Sequence, residues 1–347
     1  MRIAREPEVV RWVFRELLDP DHSPAPAPAL WQGMPAVLLA GRLSPLAVHL
    51  LGPRIGDLRP EERRPLEAAD LDAQARSHAV ERQLRQLASL LDETPVRWVV
   101  IKGWPLAARL YPTPACRPSV DLDLLVAGTD HAEVARVFMR AGYGETTTPA
   151  TATYHRSFRP PDGSHGVPVE LHSSPEPWSY QAPLTSQILG SRVRYRSPVG
   201  PLWIPGPSIE RDLLIRHYCR HAGSQAILLL DLLLALRGSR MQHELGALIA
   251  LDLDRLDLEP VITGPSKARQ APLHYWMSQR TFHERRTARL KSPLGMSLAL
   301  ARSPGAFTGE VLRFIWPRFP TSRWCKPGDP SRGIPLWRVR RLLSLGR

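Results

Sequence analysis

The chain has 347 residues, of which 43% are hydrophobic, and this composition excludes a chain too polar to bury a core. Its formal net charge of +13 favours an anionic partner, which could be a nucleotide, a nucleic acid or an acidic surface. A GC-rich genome produces the same abundance of arginine, so the charge alone does not predict nucleic-acid binding.

The length of the apolar stretches and the spacing of the cysteines also bear on the cellular compartment of the protein. The longest apolar stretch, residues 226–236, is too short to span a bilayer. The first residues lack the apolar run of a secretory signal and include Glu6 and Glu8. The three cysteines are too scattered for a disulfide framework or a CxxC metal site. We therefore expect a cytoplasmic protein without a transmembrane segment.

In chain order, the N-terminal part has helical periodicity. Apolar residues recur at helix-compatible spacing over 9–18, and a linker rich in Pro and Ala follows at 19–30. The clearest amphipathic pattern covers 74–93. These patterns predict a helical N-terminal region over 1–95.

After residue 95 the pattern changes to short strands and helices. A β-branched run predicts a strand at 96–101, and alternation predicts another at 120–126. The other elements predicted in this part are helices at 104–111 and 130–140 and strands at 153–158 and 167–171.

The segment that follows is again helical. Residues 208–237 carry the strongest apolar pattern of the chain, and we predict a helical region over 206–260 that packs on the core. Asp231 lies among leucines, where an unpaired charge is costly, so it needs a partner or points into the site. The arginines near it in sequence, which we expect to provide that partner, are Arg216, Arg220 and Arg237.

Basic residues dominate the end of the chain. We expect a basic C-terminal region over 261–347, either folded or partly disordered. Within it, residues 280–291 and 337–347 mix arginine with aromatic residues or leucine. Such segments form solvated helix faces or tails, or they contact nucleic acid or an anionic membrane.

Two carboxylates at strand spacing are the first candidates for chemistry. Asp121 and Asp123 are two residues apart in the predicted strand, so their side chains project from the same face. Magnesium prefers oxygen ligands, often one or two carboxylates together with substrate phosphates. The pair therefore suits a Mg²⁺-triphosphate site, and the alternative is an exposed strand face with solvated acids.

The turn that precedes this strand has features of a phosphate-binding site. Lys102 and Gly103 end the first strand where a helix begins, so Gly103 allows close approach to a phosphate and Lys102 adds a positive charge. The alternative is a simple strand–helix turn with a surface lysine. Arg117 either binds the triphosphate or braces its loop by pairing with an acid.

A third acid follows on a later strand. In residues 167–172, alternation places Glu170 and His172 on the same face. If this strand lies beside the Asp-x-Asp strand, Glu170 could complete a metal triad or act as general base. His172 could orient Glu170, contact phosphate or be structural.

Together these residues resemble a known family. The pattern IKGxxLAxxLYP, then RPxxDLDLLV, then VELH is similar to the uncharacterised nucleotidyltransferases of the polymerase β-like superfamily. The resemblance covers residues 96–172 and continues more weakly through the helix with His217, His221 and Asp231. It departs at two points: Lys-Gly replaces the usual Gly-Ser after the first strand, and Glu170 stands where this branch usually has Asp.

The resemblance implies an α/β (α+β) fold, a nucleotidyltransferase-type mixed sheet flanked by helices, with helical N-terminal and C-terminal additions to a core at 96–205. It implies Mg²⁺ and transfer of a nucleoside monophosphate from a nucleoside triphosphate such as ATP to an acceptor hydroxyl. The implied metal ligands and catalytic residues are Asp121, Asp123 and Glu170. The implied phosphate-binding residues are Lys102, Gly103, Arg117 and His172.

The acceptor does not follow from the sequence. It could be a small molecule or a peptide in a biosynthetic or peptide-tailoring pathway. A different hypothesis is a catalytically degenerate protein of the same fold that binds nucleic acid or a protein partner. Glu170 at the third acid position and the strong net charge motivate this hypothesis.

Overall fold

The computed structural model describes residues 6–18, 34–146, 155–175, 185–220 and 225–236. The predicted linker at 19–30 lies outside the described residues. The predicted basic region over 261–347, with both of its arginine-rich segments, also lies outside them.

Helices and strands alternate through the described residues. The helices are α1 (Glu6–Leu18), α2 (Met34–Gly41), α3 (Ser44–Leu51), α4 (Pro60–Asp92), α5 (Trp104–Leu110), α6 (His131–Arg140), α7 (Thr185–Gly190), α8 (Pro207–Arg220) and α9 (Ala226–Leu236). The strands are β1 (Trp98–Val100), β2 (Leu122–Val126), β3 (Gly144–Glu145), β4 (His155–Arg159), β5 (Val169–His172), β6 (Val193–Ser197) and β7 (Gly200–Ile204). Short 3₁₀ turns occur at Gly52–Asp57 and Pro114–Cys116.

The main sheet has five strands in the order β1-β2-β5-β4-β3. β2 and β5 are parallel, whereas β1 pairs antiparallel with β2, and β4 pairs antiparallel with β5 and β3. β6 and β7 form a separate antiparallel hairpin. This mixed sheet flanked by helices confirms the predicted fold class.

β2 is buried along its whole length because helices cover both faces of the sheet. On one face, Leu122, Leu124 and Val126 pack in a cluster with α4 and α6. On the other face, Leu125 packs with α7 and α8. Asp123 projects from that second face by strand alternation, so a carboxylate lies within an otherwise apolar strand.

β2 begins two residues later than the alternation predicts. Its first ladder bond is donated by the Leu122 amide to Pro168 O at 2.9 Å. Asp121 therefore lies in the loop before the strand, and Val120 is 46% exposed instead of facing the core. Alternation in sequence does not show where the partner strand begins, and the partner sets this boundary.

α4 is much longer than predicted. It begins at Pro60, a residue compatible with the first helical position. Pro65 lies within the helix, where proline removes one backbone hydrogen bond. The amphipathic pattern is clear only from residue 74 onward, because the preceding turns are largely polar.

A second apolar cluster joins the ends of the described chain. It contains residues of α1, α2, α3, α8 and α9 together with Leu106 of α5 and Tyr111. The helices before and after the sheet therefore share one core with the helix that follows β1.

The boundaries predicted for the regions at 1–95, 96–205 and 206–260 stay predictions. Among the described residues, none of the helices combines the length and the hydropathy that a membrane span requires.

The buried side chain of Gln83 holds the segment that leads into β5. Its amide donates to Val167 O at 2.8 Å and accepts from Val167 N at 2.9 Å. We expect Gln83→Ala to lower the free energy of unfolding by about 1–3 kcal/mol for each backbone group left buried and unpaired. Urea denaturation measures the loss. The control is Gln86→Ala on the exposed side of α4, which should unfold like the wild type.

Candidate active site

The strand register brings three side chains of the second sheet face together. Asp123 and Glu170 are direct partners on the parallel strands β2 and β5. His172 follows Glu170 by two residues on β5, so the two share that face. Because these pairs are fixed by backbone hydrogen bonds, the cluster is built by the sheet itself and not by a loop.

Asp123 is the centre of the cluster and is completely buried. Its Oδ1 accepts a hydrogen bond from His172 Nε2 at 2.9 Å and lies 3.2 Å from Lys102 Nζ. Burial alone would raise the pKa of Asp123, but the Lys102 ammonium and the His172 hydrogen bond outweigh it and hold that pKa below its ordinary range. Asp123 is therefore ionised inside the fold.

Glu170 and His172 form a second contact, with 3.3 Å between Glu170 Oε2 and His172 Nε2. The hydrogen bond from His172 lowers the pKa of Glu170. Burial would lower the pKa of His172, but its hydrogen bonds to Asp123 and Glu170 raise it overall. The Glu170 side chain is 25% exposed, whereas His172 is buried, so the cluster opens to solvent on the Glu170 side.

Asp121 lies at the partly exposed edge of this cluster. Burial and the neighbouring charge of Asp123 raise the pKa of Asp121 to about 6. Glu170 acts in the same direction, while Lys102 opposes it. Asp121 is not in the group of ligand atoms that lie within 4.8 Å of one another, which consists of Asp123, Glu170 and His172. Its raised pKa is the effect expected of an acid that ionises near carboxylates that are already charged.

The donors of this cluster suit a divalent cation. Asp123, Glu170 and His172 each offer one ligand atom, and these atoms lie within 4.8 Å of one another. Asp123 Oδ2 is buried and accepts no hydrogen bond from the part of the chain that the structure describes. A buried carboxylate oxygen is costly without a donor or a cation, so the residues fit such an ion.

Lys102 and Gly103 lie where the sequence places them, between β1 and α5. Gly103 has φ +83°, a left-handed conformation that favours glycine, and it caps the start of α5. A Cβ at this position would lie 3.4 Å from Ser119 Oγ. The turn therefore requires glycine for its backbone, and it presents Lys102 to Asp123.

Arg117 is not part of the carboxylate cluster. Its buried guanidinium donates to Asp231 through Nε to Oδ1 at 2.8 Å and Nη2 to Oδ2 at 2.7 Å. Tyr111 OH donates to Asp231 Oδ1 at 2.7 Å. Asp231 outweighs the effect of burial and raises the pKa of Arg117. Of the two roles that the sequence leaves open, bracing of the loop is the one that this geometry favours.

The partner of Asp231 differs from the one expected. Arg216 is close in sequence, yet its side chain pairs with Asp212 at 2.9 Å, one turn away on α8. Arg220 and Arg237 have no described side chain. The partner that the structure gives Asp231 is Arg117, which is 114 residues away, because the loop before β2 folds back against α9.

Two polar residues at the site were missed by the sequence analysis. His155 on β4 is the cross-strand partner of His172, and its Nε2 lies 3.8 Å from Glu170 Oε1. Ser119 is buried next to Gly103, and its Oγ has no hydrogen-bond partner among the described residues. His155 lies outside the motifs, and Ser119 occupies an unspecified position of the RPxxDLDLLV motif. Only the antiparallel pairing of β4 with β5 brings His155 to the cluster.

A narrow cleft with a cavity volume of about 20 Å³ adjoins the cluster. Lys102 and His172 form its polar side. The opposite wall belongs to α8 and contains Leu213, Leu214 and His217. A bidentate ion pair between Arg109 and Glu210 joins α8 to α5 beside this wall. The cleft thus has a charged end and an apolar wall.

Comparison with known proteins agrees with the motif and the fold. A family model described as an uncharacterised nucleotidyltransferase matches residues 28–257, well over half of the chain. The match confirms the resemblance drawn from the sequence. No curated protein and no solved structure gives a significant match.

The pair of Arg117 and Asp231 should be costly to break from one side. We expect Asp231→Leu to lower the free energy of unfolding by about 3–5 kcal/mol, because Arg117 is left buried without its anion. The double variant Arg117→Met with Asp231→Leu should recover much of this loss. Urea denaturation of the wild type and the variants tests both. A single variant as stable as the wild type would show that Arg117 is not committed to Asp231.

The raised pKa of Asp121 predicts a pH dependence of stability without cations. The folded state holds a proton on Asp121 up to about pH 6, whereas the unfolded state releases it near 3.8. Stability should therefore fall as pH rises through this window. We expect Asp121→Asn to fall less steeply in urea denaturation with EDTA. Asp130→Asn, outside the cluster, is the control and should follow the wild type; coincident curves for Asp121→Asn would contradict the prediction.

Proposed function

The chain belongs to the uncharacterised nucleotidyltransferase family, and we propose that it is an enzyme that transfers a nucleoside monophosphate from a nucleoside triphosphate to an acceptor hydroxyl, with Mg²⁺ as cofactor. The observation that carries this proposal is the buried Asp123 carboxylate, held in register with Glu170 and flanked by Asp121 and Lys102. Such carboxylates suit a bound cation, and that cation together with Lys102 would neutralise charge on a triphosphate.

In this reaction the acceptor oxygen forms a bond to the α-phosphorus. The bond from that phosphorus to the bridging oxygen breaks, and pyrophosphate leaves. The proton of the hydroxyl passes to Glu170 Oε1, the oxygen that lies near His155 and away from His172. Before this transfer, His155, whose Nε2 lies 3.8 Å from Glu170 Oε1, stabilises the ionised form of Glu170 that accepts the proton.

Asp121 and Asp123 are the proposed ligands of Mg²⁺, which supplies Lewis-acid stabilisation of the triphosphate when bound. The two carboxylates would place the phosphates beside Lys102. Their mutual repulsion, which raises the pKa of Asp121, falls when positive charge enters the site. The charges of the two carboxylates thus repel each other until the substrate brings its cation.

Lys102 and Gly103 are the proposed phosphate-binding residues. The Lys102 side chain is 17% exposed, contacts Asp123 and lines the cleft. A small movement would transfer its ammonium group from the Asp123 carboxylate to a phosphate in the cleft. Arg117 is left out of this set because Asp231 already occupies its guanidinium. His172 is assigned to the carboxylates, since its Nε2 faces both of them.

The nucleoside and the acceptor are proposed only by class. The apolar wall of the cleft offers Leu213 and Leu214 to a base or to an apolar part of the acceptor. The acceptor is a small molecule or peptide with a free hydroxyl, and the reaction is proposed to take place in the cytoplasm.

Binding of nucleoside triphosphates tests the proposal. We expect the wild type to bind at least one of ATP, GTP, CTP and UTP in calorimetry, and only when Mg²⁺ is present. Asp123→Asn and Asp121→Asn should each remove this Mg²⁺-dependent binding, because each deletes a carboxylate charge from the cation site. The matched control is Asp130→Asn, an acid outside the cluster, which should bind like the wild type.

One feature favours the alternative of a degenerate binding protein. Lys102 and His172 already contact the Asp123 carboxylate, so the site can be neutralised without a cation. A folded wild type that binds no triphosphate in Mg²⁺, while binding single-stranded RNA at low salt, would support this alternative. Failure to bind RNA at low salt would weigh against it, since phosphate contacts are strongest there.

A further inference from the structure

The β6–β7 hairpin carries a row of arginines that the proposed function does not use. Arg192 directly precedes β6, and Arg194 and Arg196 follow at steps of two residues, so all three project from the same face of the hairpin. Tyr195 belongs to the opposite face, where its hydroxyl donates to Ala108 O of α5 at 3.5 Å. The arginines therefore lie on the face that is turned away from α5.

Trp203 positions two of these guanidinium groups. It is the cross-strand partner of Arg194 on β7. The guanidinium carbon of Arg192 lies 4.4 Å from the centroid of the Trp203 ring, and that of Arg194 lies 5.2 Å from it. An arginine that stacks on an aromatic ring still has N–H groups at the edge of its plane for an anion. Arg192 Nη1 is buried and has no acceptor in the part of the chain that the structure describes.

Positive charge is in excess on this face. Burial lowers the pKa of Arg192, and the exposed Arg97 before β1 lowers it further, while Asp92 opposes both effects. Asp92 Oδ2 lies 3.6 Å from Arg194 Nη2, and the two side chains are 38% and 48% exposed. Exposed ion pairs of this kind contribute little. The pair with Asp92 therefore leaves the face attractive to a further anion.

We propose that the arginine face, defined as Arg192, Arg194, Arg196 and Trp203, binds single-stranded nucleic acid. Side chains two residues apart on a strand are separated by about 6.6 Å, so the arginines offer a row of charges to a chain with regularly spaced phosphates. The bases of a single strand stack on aromatic rings and on guanidinium planes. The formal net charge of +13 has the sign that such a partner requires.

Other anionic partners fit this face less well. An acidic peptide offers regularly spaced carboxylates, but these have no planar groups for the stacked guanidiniums. An anionic membrane favours aromatic rings that are free to enter the lipid interface. The half-buried ring of Trp203 already lies beneath Arg192 and Arg194.

The arginine face is separate from the carboxylate cluster. Its contact with Asp92, the last residue of α4, places it near the start of β1. Lys102 lies beyond the other end of β1, on the order of 15 Å away along the strand direction. The inference therefore does not rest on the proposed function, and a strand bound at the arginine face leaves the cleft free.

Binding of a labelled oligouridylate to the full-length chain, followed by fluorescence anisotropy over a range of salt concentrations, tests the inference. We expect the double variant Arg192→Gln with Arg194→Gln to reduce the slope of log affinity against log salt by about 1.4, because each phosphate contact of a single strand contributes about 0.7. The matched control is Arg136→Gln with Arg140→Gln, two exposed arginines of α6, which should keep the wild-type slope. An equal reduction in the control would show that binding follows net charge alone and would overturn the inference.

A second variant separates stacking from charge. Arg192→Lys with Arg194→Lys keeps both charges and loses the guanidinium planes. We expect the wild-type salt slope with an affinity at least about fivefold lower, the lower end of the effect of losing one stacked base. Wild-type affinity in this variant would show that point charges suffice and would contradict the inference.

Photo-crosslinking locates the bound strand. With 5-iodouridine in the oligonucleotide, we expect crosslinked peptides from residues 192–204, and crosslinks confined to other segments would overturn the inference. The glutamine variant should bind polyglutamate and phosphatidylserine vesicles like the wild type; a loss as large as that for oligouridylate would assign the face to polyanions in general and overturn it. Triphosphate binding in Mg²⁺ should be unchanged in both hairpin variants. A wild type that binds oligouridylate as expected but no triphosphate contradicts only the proposed function, whereas the reverse result overturns only this inference.

Discussion

The arrangement of the site depends on a carboxylate that the fold buries completely. An isolated ionised Asp in an apolar strand would be strongly unfavourable, so Asp123 requires positive charge and hydrogen bonds from its neighbours. Lys102, which follows β1, and His172, which ends β5, supply them, and Glu170 is a second acceptor for the same imidazole. Because the neighbouring strands hold these partners, the register of the sheet determines which groups stabilise the charge of Asp123.

A second buried ion pair positions the loop that leads into β2. Residues before Leu122 have no ladder partner, yet they carry Asp121 to the rim of the cluster. The pair of Arg117 with Asp231 anchors this loop to α9, and Arg42 adds a hydrogen bond to Pro118 O at 2.7 Å. Buried pairs contribute little net stability compared with apolar packing, but they fix geometry. The loop is thus positioned by polar contacts where β-pairing ends.

The sequence was sufficient for most elements of the central sheet and for the shared face of Glu170 and His172, because both follow from short-range periodicity. It did not predict α7 or the β6–β7 hairpin, and its placement of Asp121 on the strand face of Asp123 was wrong, because Asp121 lies in the loop before β2. Glu170 and His172 fall on one face by alternation, and the family motif placed them near Asp123. It was insufficient for contacts between distant segments. The pairing of β4 with β5, which brings in His155, and the packing of α9, which gives Arg117 its partner, depend on tertiary structure that no local pattern encodes.

The resemblance drawn from the sequence leads us to expect Asp at the third acid, and the geometry gives a physical role to the longer Glu170. The added methylene of Glu170 extends its two oxygens toward two histidines, with Oε2 at 3.3 Å from His172 and Oε1 at 3.8 Å from His155. An aspartate at the same backbone position would end one methylene nearer to the strand and would not divide its oxygens in this way. The longer acid therefore suits a cluster in which nitrogen and oxygen donors are mixed. Glu170, where the resemblance leads us to expect Asp, and His155, which the sequence did not predict, thus belong to the same set of contacts.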